Sequence, residues 1–334
     1  MSPQKETFNP HGWTRRRFLL STFGAAAFTL SGTTLLSKST KTFIMKISRY
    51  GAEISPAIIS GLRGLGVATE EIRGKTILLK PNLVETHNGA DHINTHPLVI
   101  RGAVEAFLRL GAAHILVAEG PGHCRDSLRL LEESGLGEIL IEDRIPFVDL
   151  NYDEVYTVAN AGRRSRLKTL TFPATIRQVD WIVSMPKLKT HHWAGVTLSM
   201  KNLFGVMPGM FYGWPKNVLH WAGIEKSILD INATLRPDFA IVDGIVGMEG
   251  DGPIMGTPRH VGVLVMGRNF PAVDATCTRI MGLNPRRVRY LSAASNCLGP
   301  IREEDIIQCG ETIESVRTNF ALMEKNPNHK KLRL

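Results

Sequence analysis

Short continuous apolar runs are what most constrain the fold of this 334-residue chain. Lys75–Lys80, His114–Glu119, Trp181–Met185 and Asp238–Asp243 each carry a brief uninterrupted apolar stretch that reads as a buried strand. Between the first two, Pro97 to Leu110 places Val99, Ile100, Ala103, Val104, Phe107 and Leu108 at helical spacing, with proline at the start and Gly111 just past the end. Strand, helix, strand in that order is a parallel crossover unit. The expected fold class is α/β: a mostly parallel sheet with flanking helices, Rossmann-like, after an N-terminal export signal.

Further along, a helix is expected at about residues 125–134 and a strand near Pro146–Leu150. Tyr152–Phe172, with Arg163, Arg164 and Arg166, reads as a hairpin or an exposed excursion. Helices are expected at Val218–Leu235, Pro271–Met281 and Arg286–Ala294, and a strand at His260–Met266. Past Asn319 the chain turns polar and is expected to fray. The expected division is a leader over 1–36, an α/β domain over 45–316 and a polar tail over 317–334.

The leader reading rests on Thr14-Arg15-Arg16-Arg17-Phe18-Leu19-Leu20, a twin-arginine pattern, followed by a soft apolar run from Phe18 to Leu36 broken by Gly, Ser and Thr. It predicts export by the twin-arginine translocation (Tat) machinery to a periplasmic or other extracytoplasmic space. No A-x-A cleavage site follows, so an N-terminal membrane tether stays open beside a cleaved signal. The leader holds +3 of the formal charge of +9, leaving +6 for the rest. No basic run interleaved with aromatics occurs, so no nucleic-acid partner is expected. The excess suits a small anionic molecule.

Cys124, Cys277, Cys297 and Cys309 show no C-x-x-C spacing, which argues against a zinc ribbon or an iron–sulfur cluster. They read as isolated buried thiols, with a Cys297–Cys309 disulfide as the alternative. No G-x-x-x-x-G-K-[ST], no G-x-G-x-x-G after the first strand and no G-x-S-x-G is present, which disfavours the usual nucleotide enzymes and α/β-hydrolases.

What remains is where polar groups fall. In open parallel sheets ligands bind beyond the carboxyl ends of the strands. Four runs end in candidate groups: Lys80-Pro81-Asn82; Glu119-Gly-Pro-Gly-His123; Pro186-Lys187-Leu-Lys189-Thr-His191; and Asp243-Gly244, followed by the glycine-rich turn Glu249-Gly-Asp251-Gly-Pro253. All four are expected on one rim. The third enters a lysine- and histidine-rich loop that leads to Lys201 and Asn202. Lys80, Lys187 and Lys189, with Asn82 and Asn202, are candidates to hold a carboxylate or phosphate, against the ordinary reading of solvated charge. Lys201 lies in an otherwise apolar stretch and is the candidate base or nucleophile. His123, His191 and His220 are candidates to move protons or bind a metal, against the ordinary reading of structural histidines. His87, His92 and His96 crowd the first long loop and read either way. Glu119, Asp243, Glu249 and Asp251 are further candidates, and Asp274 near a helix start reads as a dipole partner.

Several of these pieces together resemble the family catalogued as domain of unknown function (DUF) 362: Lys80-Pro-Asn82, Pro97 to Gly111 with the following strand and Glu119-Gly120, Pro186-Lys-Leu-Lys-Thr-His191, Met200-Lys-Asn-Leu-Phe-Gly205, Asp243 to Pro253, and Pro271-Ala-Val-Asp274 leading to Met281-Gly282. The resemblance covers roughly residues 75–300 and implies an α/β fold. Many members carry ferredoxin-type cysteine modules, and this chain has none. More distantly, His191, Ala194-Gly195, Lys201, His220 and Gly122-His123 are similar to positions in nickel-pincer lactate racemases, where the lysine carries a covalent cofactor. Lys80-Pro-Asn82 stands where those enzymes have Asp-x-Thr-Arg. The resemblance implies a metal or a covalently held cofactor.

The expected function is an exported enzyme acting on a small organic acid, an isomerase or oxidoreductase dependent on a metal or cofactor. The alternative is a non-catalytic periplasmic binding protein or a maturation partner of a redox complex.

Overall fold

The structure is a computed structural model describing residues 40–86, 89–123 and 126–333. The expected leader, His87 and Cys124 lie outside the described residues. Strands β1 (Thr40–Lys46), β2 (Thr76–Pro81), β3 (His114–Glu119), β4 (Phe147–Asp149), β5 (Val155–Ala159), β6 (Thr169–Pro173), β7 (Trp181–Met185), β8 (Lys187–His191), β9 (Gly195–Thr197), β10 (Phe239–Glu249), β11 (Thr257–Gly267) and β12 (Ile306–Gly310) follow in chain order. Among the described residues one ten-stranded sheet runs β12-β1-β11-β10-β7-β2-β3-β4, with β8 on β10 and β9 on β8; β5 and β6 form a separate antiparallel hairpin.

The strands β4, β3, β2, β7 and β10 are mutually parallel, as the crossover pattern predicts. Their side chains split by period two between the faces. Ile77 and Leu79 of β2 pack with Val183, Ile241 and the helices Ile54–Gly64 and Pro97–Arg109. Leu78 between them packs on the other face with Ile182, Val242 and the helices Ile224–Leu235 and Phe270–Ile280. Helices on both faces are what a continuously apolar parallel strand requires. No helix among the described residues is long and apolar enough to cross a membrane.

The structure departs from expectation in five places. The segment Lys187–His191 is a strand, not a loop: Asp243 N donates to Pro186 O at 2.8 Å, so the ladder bridges the proline and β8 continues β7 alongside β10. All five residues of β8 are buried. Asp243 therefore does not end its strand; β10 runs on to Glu249, paired with β11 and bulged between Gly244 and Val246. The expected helix Val218–Leu235 is two, Asn217–Trp221 and Ile224–Leu235, divided at Gly223, whose φ of 101° no helix accepts. Two strands at one end of the sheet, β12 at its edge and β1 next to it, carry no strong apolar run that signals them. The tail does not fray: Phe320, His329 and Leu332 are buried. Cys277 is a buried free thiol, but Cys297 is exposed and Cys309 half-buried, both free, so neither cysteine reading holds for that pair.

Candidate active site

Beyond the carboxyl ends of β2, β3 and β8 lies a cavity of about 360 Å³ lined by Lys80, Asn82, Glu119, His123, Lys189, His191, Lys201, Asn202 and His220, all singled out from sequence. Leu83, Val84, Trp193, Phe204, Pro215 and Pro253 supply its apolar walls.

The floor is a closed polar knot. Lys80, at the end of β2 and 1% exposed, donates to Pro81 O at 2.7 Å, Glu119 Oε2 at 2.7 Å and Asn202 Oδ1 at 3.0 Å. An ammonium has three N–H donors, and all are used. Glu119 also accepts from Leu83 N (3.0 Å) and Gly120 N (2.9 Å), while Asn202 Nδ2 donates to Lys80 O and Ser184 Oγ, both at 3.1 Å. Gly205 lies so close that a Cβ there would strike Glu119 Oε1. Burial lowers the Lys80 pKa and the Glu119 charge opposes that shift. Lys80 and Asn202, read as ligand-binding groups, are spent on one another and on Glu119.

Lys189 is fully buried on β8 and donates to Ile93 O at 2.8 Å and Pro253 O at 3.1 Å. Burial first, then Lys187 and Lys201, hold its pKa well below the usual lysine range. Lys201 differs from both. No hydrogen-bond acceptor among the described residues reaches its amine, which lies 4.1 Å from the centroid of the Phe204 ring. Burial and the neighbouring Lys80 ammonium push it down to about 7, against Glu119. Its short helix, Ser199–Asn202, is pinned at the start by buried Asp274, which accepts from Ser199 N (2.8 Å), Ser199 Oγ, Met200 N (3.1 Å) and Tyr290 OH (3.2 Å). Burial pushes Asp274 up to about 7 in spite of those donors. It thus anchors the lysine-bearing turn, and the helix-dipole reading extends to a different helix from its own.

The imidazoles have distinct tautomers. His191 Nδ1 accepts from Trp193 N (3.1 Å) and Ala194 N (3.3 Å), so its proton sits on Nε2. Burial, then Lys201, hold its pKa well below 6.5. His220 Nδ1 lies 3.1 Å from Lys216 O, which can only accept, so Nδ1 carries the proton and Nε2 keeps its lone pair. Its ring sits edge-on between Trp193 (5.4 Å) and Phe204 (5.6 Å), and burial and Lys201 lower its pKa to about 4. Burial also lowers His123. His192 lines the cavity with Nδ1 3.9 Å from Asp251 Oδ1.

Four expected members, Lys187, Asp243, Glu249 and Asp251, do not line the cavity. Lys187 and Asp243 form a fully buried pair at 2.6 Å, joined by Tyr50 OH and Asp91 O, with Asp243 also accepting from His96 N at 3.0 Å. Continuation of β10 past Asp243 buries the pair inside the sheet rather than at its rim. His96, stacked on Tyr50 at 3.6 Å, belongs to that cluster. Glu249 accepts from Ala321 N at 2.8 Å, which ties down the tail. Asp251 reaches the cavity only through His192.

Sequence reasoning missed Lys216, which is 2% exposed, donates to Asn151 Oδ1 and is lowered to about 7 by burial. Pro215-Lys216 repeats the proline-lysine step of Pro186-Lys187, a signal that was available. It also missed two buried polar atoms without partners, Asn82 Oδ1 and Thr197 Oγ1, both on cavity-lining residues. The third omission is the tail. Asn326 and Asn328 each donate to His192 O at 2.9 Å; His329 Nδ1 accepts from Met323 N, so its Nε2–H donates to His191 O at 3.1 Å.

The sequence model of the family described as domain of unknown function DUF362 matches residues 77–279, which spans the sheet strands and loops that build this cavity. The chain belongs to that family. A member of the curated proteins, the thylakoid-associated protein sll1697 of Synechocystis, is 28% identical over 261 residues, 75% of this chain and 77% of its own. Among solved structures, the lactate racemase apoprotein of Thermoanaerobacterium thermosaccharolyticum is 12% identical with a TM-score of 0.43, covering 72% of this chain and 57% of that one. A Thermotoga maritima protein is also 12% identical, with a TM-score of 0.38, covering 70% and 59%. The chain thus spans less than two thirds of either solved protein.

A metal held by the described residues alone does not fit the donors they present. Among the described residues no three His, Cys, Asp or Glu side chains gather closely enough to hold an ion. His191 could bind one through Nε2 only by placing a proton on Nδ1, against two backbone N–H donors.

Proposed function

We propose that this DUF362 chain is an enzyme that binds a small organic acid as its anion and moves a proton on it, with Lys201 as the reacting amine. One observation carries the reading: Lys201 lines the cavity with an amine near neutrality and no acceptor, beside one imidazole whose Nε2 holds a proton and another whose Nε2 holds a lone pair. A base poised near the working pH is the most effective one. Lys216 and Lys189, each protonated as the anion binds and Lys189 then with a third N–H beyond those given to Ile93 and Pro253, hold the carboxylate, and Asn82 Oδ1 and Thr197 Oγ1 pair with a polar substituent of the substrate. No step passes through a metal.

Binding should be linked to pH. Lys216 is largely neutral at pH 8 because it titrates near 7, burial holds Lys189 well below the usual lysine range, and the bound carboxylate raises both values while Lys201 is left neutral as the reacting amine. Anion binding at pH 8 is then expected to take up about one proton or more, and affinity to fall as pH rises above 7. Calorimetry in buffers of different ionisation enthalpy reads the uptake. Proton NMR in deuterated water, over a panel of 2-hydroxy, 2-oxo and 2-amino acids, reads exchange at the 2- or 3-carbon. Tight, proton-linked binding with no exchange or conversion of any acid would overturn the enzyme and leave a binding protein.

We also propose that the leader is a twin-arginine signal, so that the Tat machinery delivers the chain to an extracytoplasmic space, where a retained leader tethers it. The twin-arginine pattern and a relative named as thylakoid-associated support this. Lysine at both Arg15 and Arg16 should leave the chain in the cytoplasm on fractionation; unchanged export would sink the proposal.

A further inference from the structure

We infer that Lys201 forms an imine with the carbonyl carbon of a 2-oxo acid that carries an apolar side chain. The inference rests on the function proposed above and deepens it, because a neutral lysine amine can act as a base or as a nucleophile and the surroundings of Lys201 favour the second.

The lysines of the site decide between the two roles by what their amines already hold. Lys80 gives its three N–H donors to Pro81, Glu119 and Asn202. Lys189 gives two to carbonyls, and Lys216 gives one to Asn151. Lys80 is an ammonium with all three donors in use, and the carboxylate bound by Lys189 and Lys216 protonates them, so none of the three has a lone pair to attack with. Lys201 has no acceptor, and it lies on an aromatic ring. Its nitrogen is the one cavity amine, among the described residues, that can turn a lone pair toward a bound carbon. The lowered pKa agrees with this, since the attacking form is then abundant at neutral pH.

The surroundings supply what the rest of the step needs. The Nζ lone pair attacks the carbonyl carbon, and the C=O electron pair moves to oxygen. His191 Nε2–H hydrogen-bonds to that oxygen and keeps its proton, while His220 Nε2 takes the proton the nitrogen sheds and passes it to the oxygen. The carbinolamine then loses its hydroxyl together with its remaining N–H proton as water, which leaves the C=N bond and both imidazoles as they began. Amine and carbonyl have become imine and water, and no oxidant or reductant is consumed. The carboxylate remains on Lys189 and Lys216. A cavity of about 360 Å³ walled by Leu83, Val84, Trp193, Phe204 and Pro253 has room for more than a three-carbon acid, and its walls match an aryl or branched alkyl group.

The test uses the full chain and phenylpyruvate, with pyruvate as the comparison. Each is incubated with the protein, sodium borohydride is added, and intact mass and peptide maps are read. The expected result is one adduct per chain, the mass of phenylpyruvate less one water plus two hydrogens, on the peptide containing Lys201. Lys201→Met should remove it. Prior addition of 3-phenylpropionate, which has no keto group, should protect the wild type, so the result does not depend on the variant's folding. Label spread over surface lysines, or equal labelling at Lys216, would overturn the imine. Labelling by pyruvate as strong as by phenylpyruvate would overturn the apolar side chain. Proton-linked phenylpyruvate binding with 3-carbon exchange but no adduct would refute the imine and leave Lys201 as a base. Absence of binding by any organic acid would refute the proposed function and this inference with it.

Discussion

A Lys201→Met chain is expected to bind organic anions within about tenfold of the wild-type affinity and to exchange their protons roughly 10²–10⁴-fold more slowly. Methionine keeps much of the length and the apolar stem of the side chain, so the contact with Phe204 survives. The carboxylate contacts belong to Lys189 and Lys216 and are untouched. No other cavity lysine can take over, because their amines are engaged by Glu119, Asn202, Ile93, Pro253 or Asn151. Lys201→Arg should be as slow as methionine, since a guanidinium stays charged and cannot accept a proton at neutral pH. Measuring affinity by calorimetry and exchange by NMR on the same preparations separates the two effects. If both fall together by the same factor, Lys201 is a binding group and the proposed chemistry is wrong.

Asp243→Ala is expected to destabilise the fold by about 3–5 kcal/mol. The reason is the ammonium it leaves behind. Lys187 and Asp243 are both 0% exposed, and Asp243 Oδ2 at 2.6 Å is the carboxylate paired with the ammonium among the described residues, with Asp91 acting from farther off. Burial already drives the Lys187 pKa down, and the carboxylate is what opposes that shift. Tyr50 OH and His96 N lose an acceptor at the same time. The double variant Lys187→Met with Asp243→Leu should cost far less, since no unpaired charge remains and the volume is kept. Urea midpoints of both single variants and the double give the coupling directly. A loss under about 1 kcal/mol for Asp243→Ala would show that water or another group reaches Lys187, and the pair would no longer count as sealed.

These two lysines show where sequence reading succeeds and stops. Both follow apolar strands within the stretch that the motif pattern singled out, and a strand end is legible because apolar runs and prolines mark it. The gathering of His123, His191, His220, Lys189 and Lys201 with Lys80, Asn82, Glu119 and Asn202 follows from that alone, since parallel strands deliver their ends to one rim. What a sequence does not display is which donors are already spent. Lys80 looked like a ligand-binding group and is a floor; Lys187 looked the same and is sealed behind a strand that continues six residues past Asp243. That continuation depends on pairing with β11, a long-range fact. Lys216 was hidden because it reaches the cavity from a left-handed backbone position, φ 70°, between two short helices. The tail was hidden by its polarity. Asparagines usually mark solvent, and here three residues of that polar segment satisfy carbonyls at the edge of the site.

The tail has a consequence for biosynthesis. Asn326, Asn328 and His329 are synthesised 134 to 138 residues after His191 and His192, whose carbonyls they bind. Every strand of the main sheet is already synthesised by Gly310, yet the His191–His192 turn stays unlatched until these three residues have followed. A chain stopped just after β12 would therefore own the complete sheet and every side chain that lines the cavity, and would still lack the clasp on the backbone that carries His191 and His192.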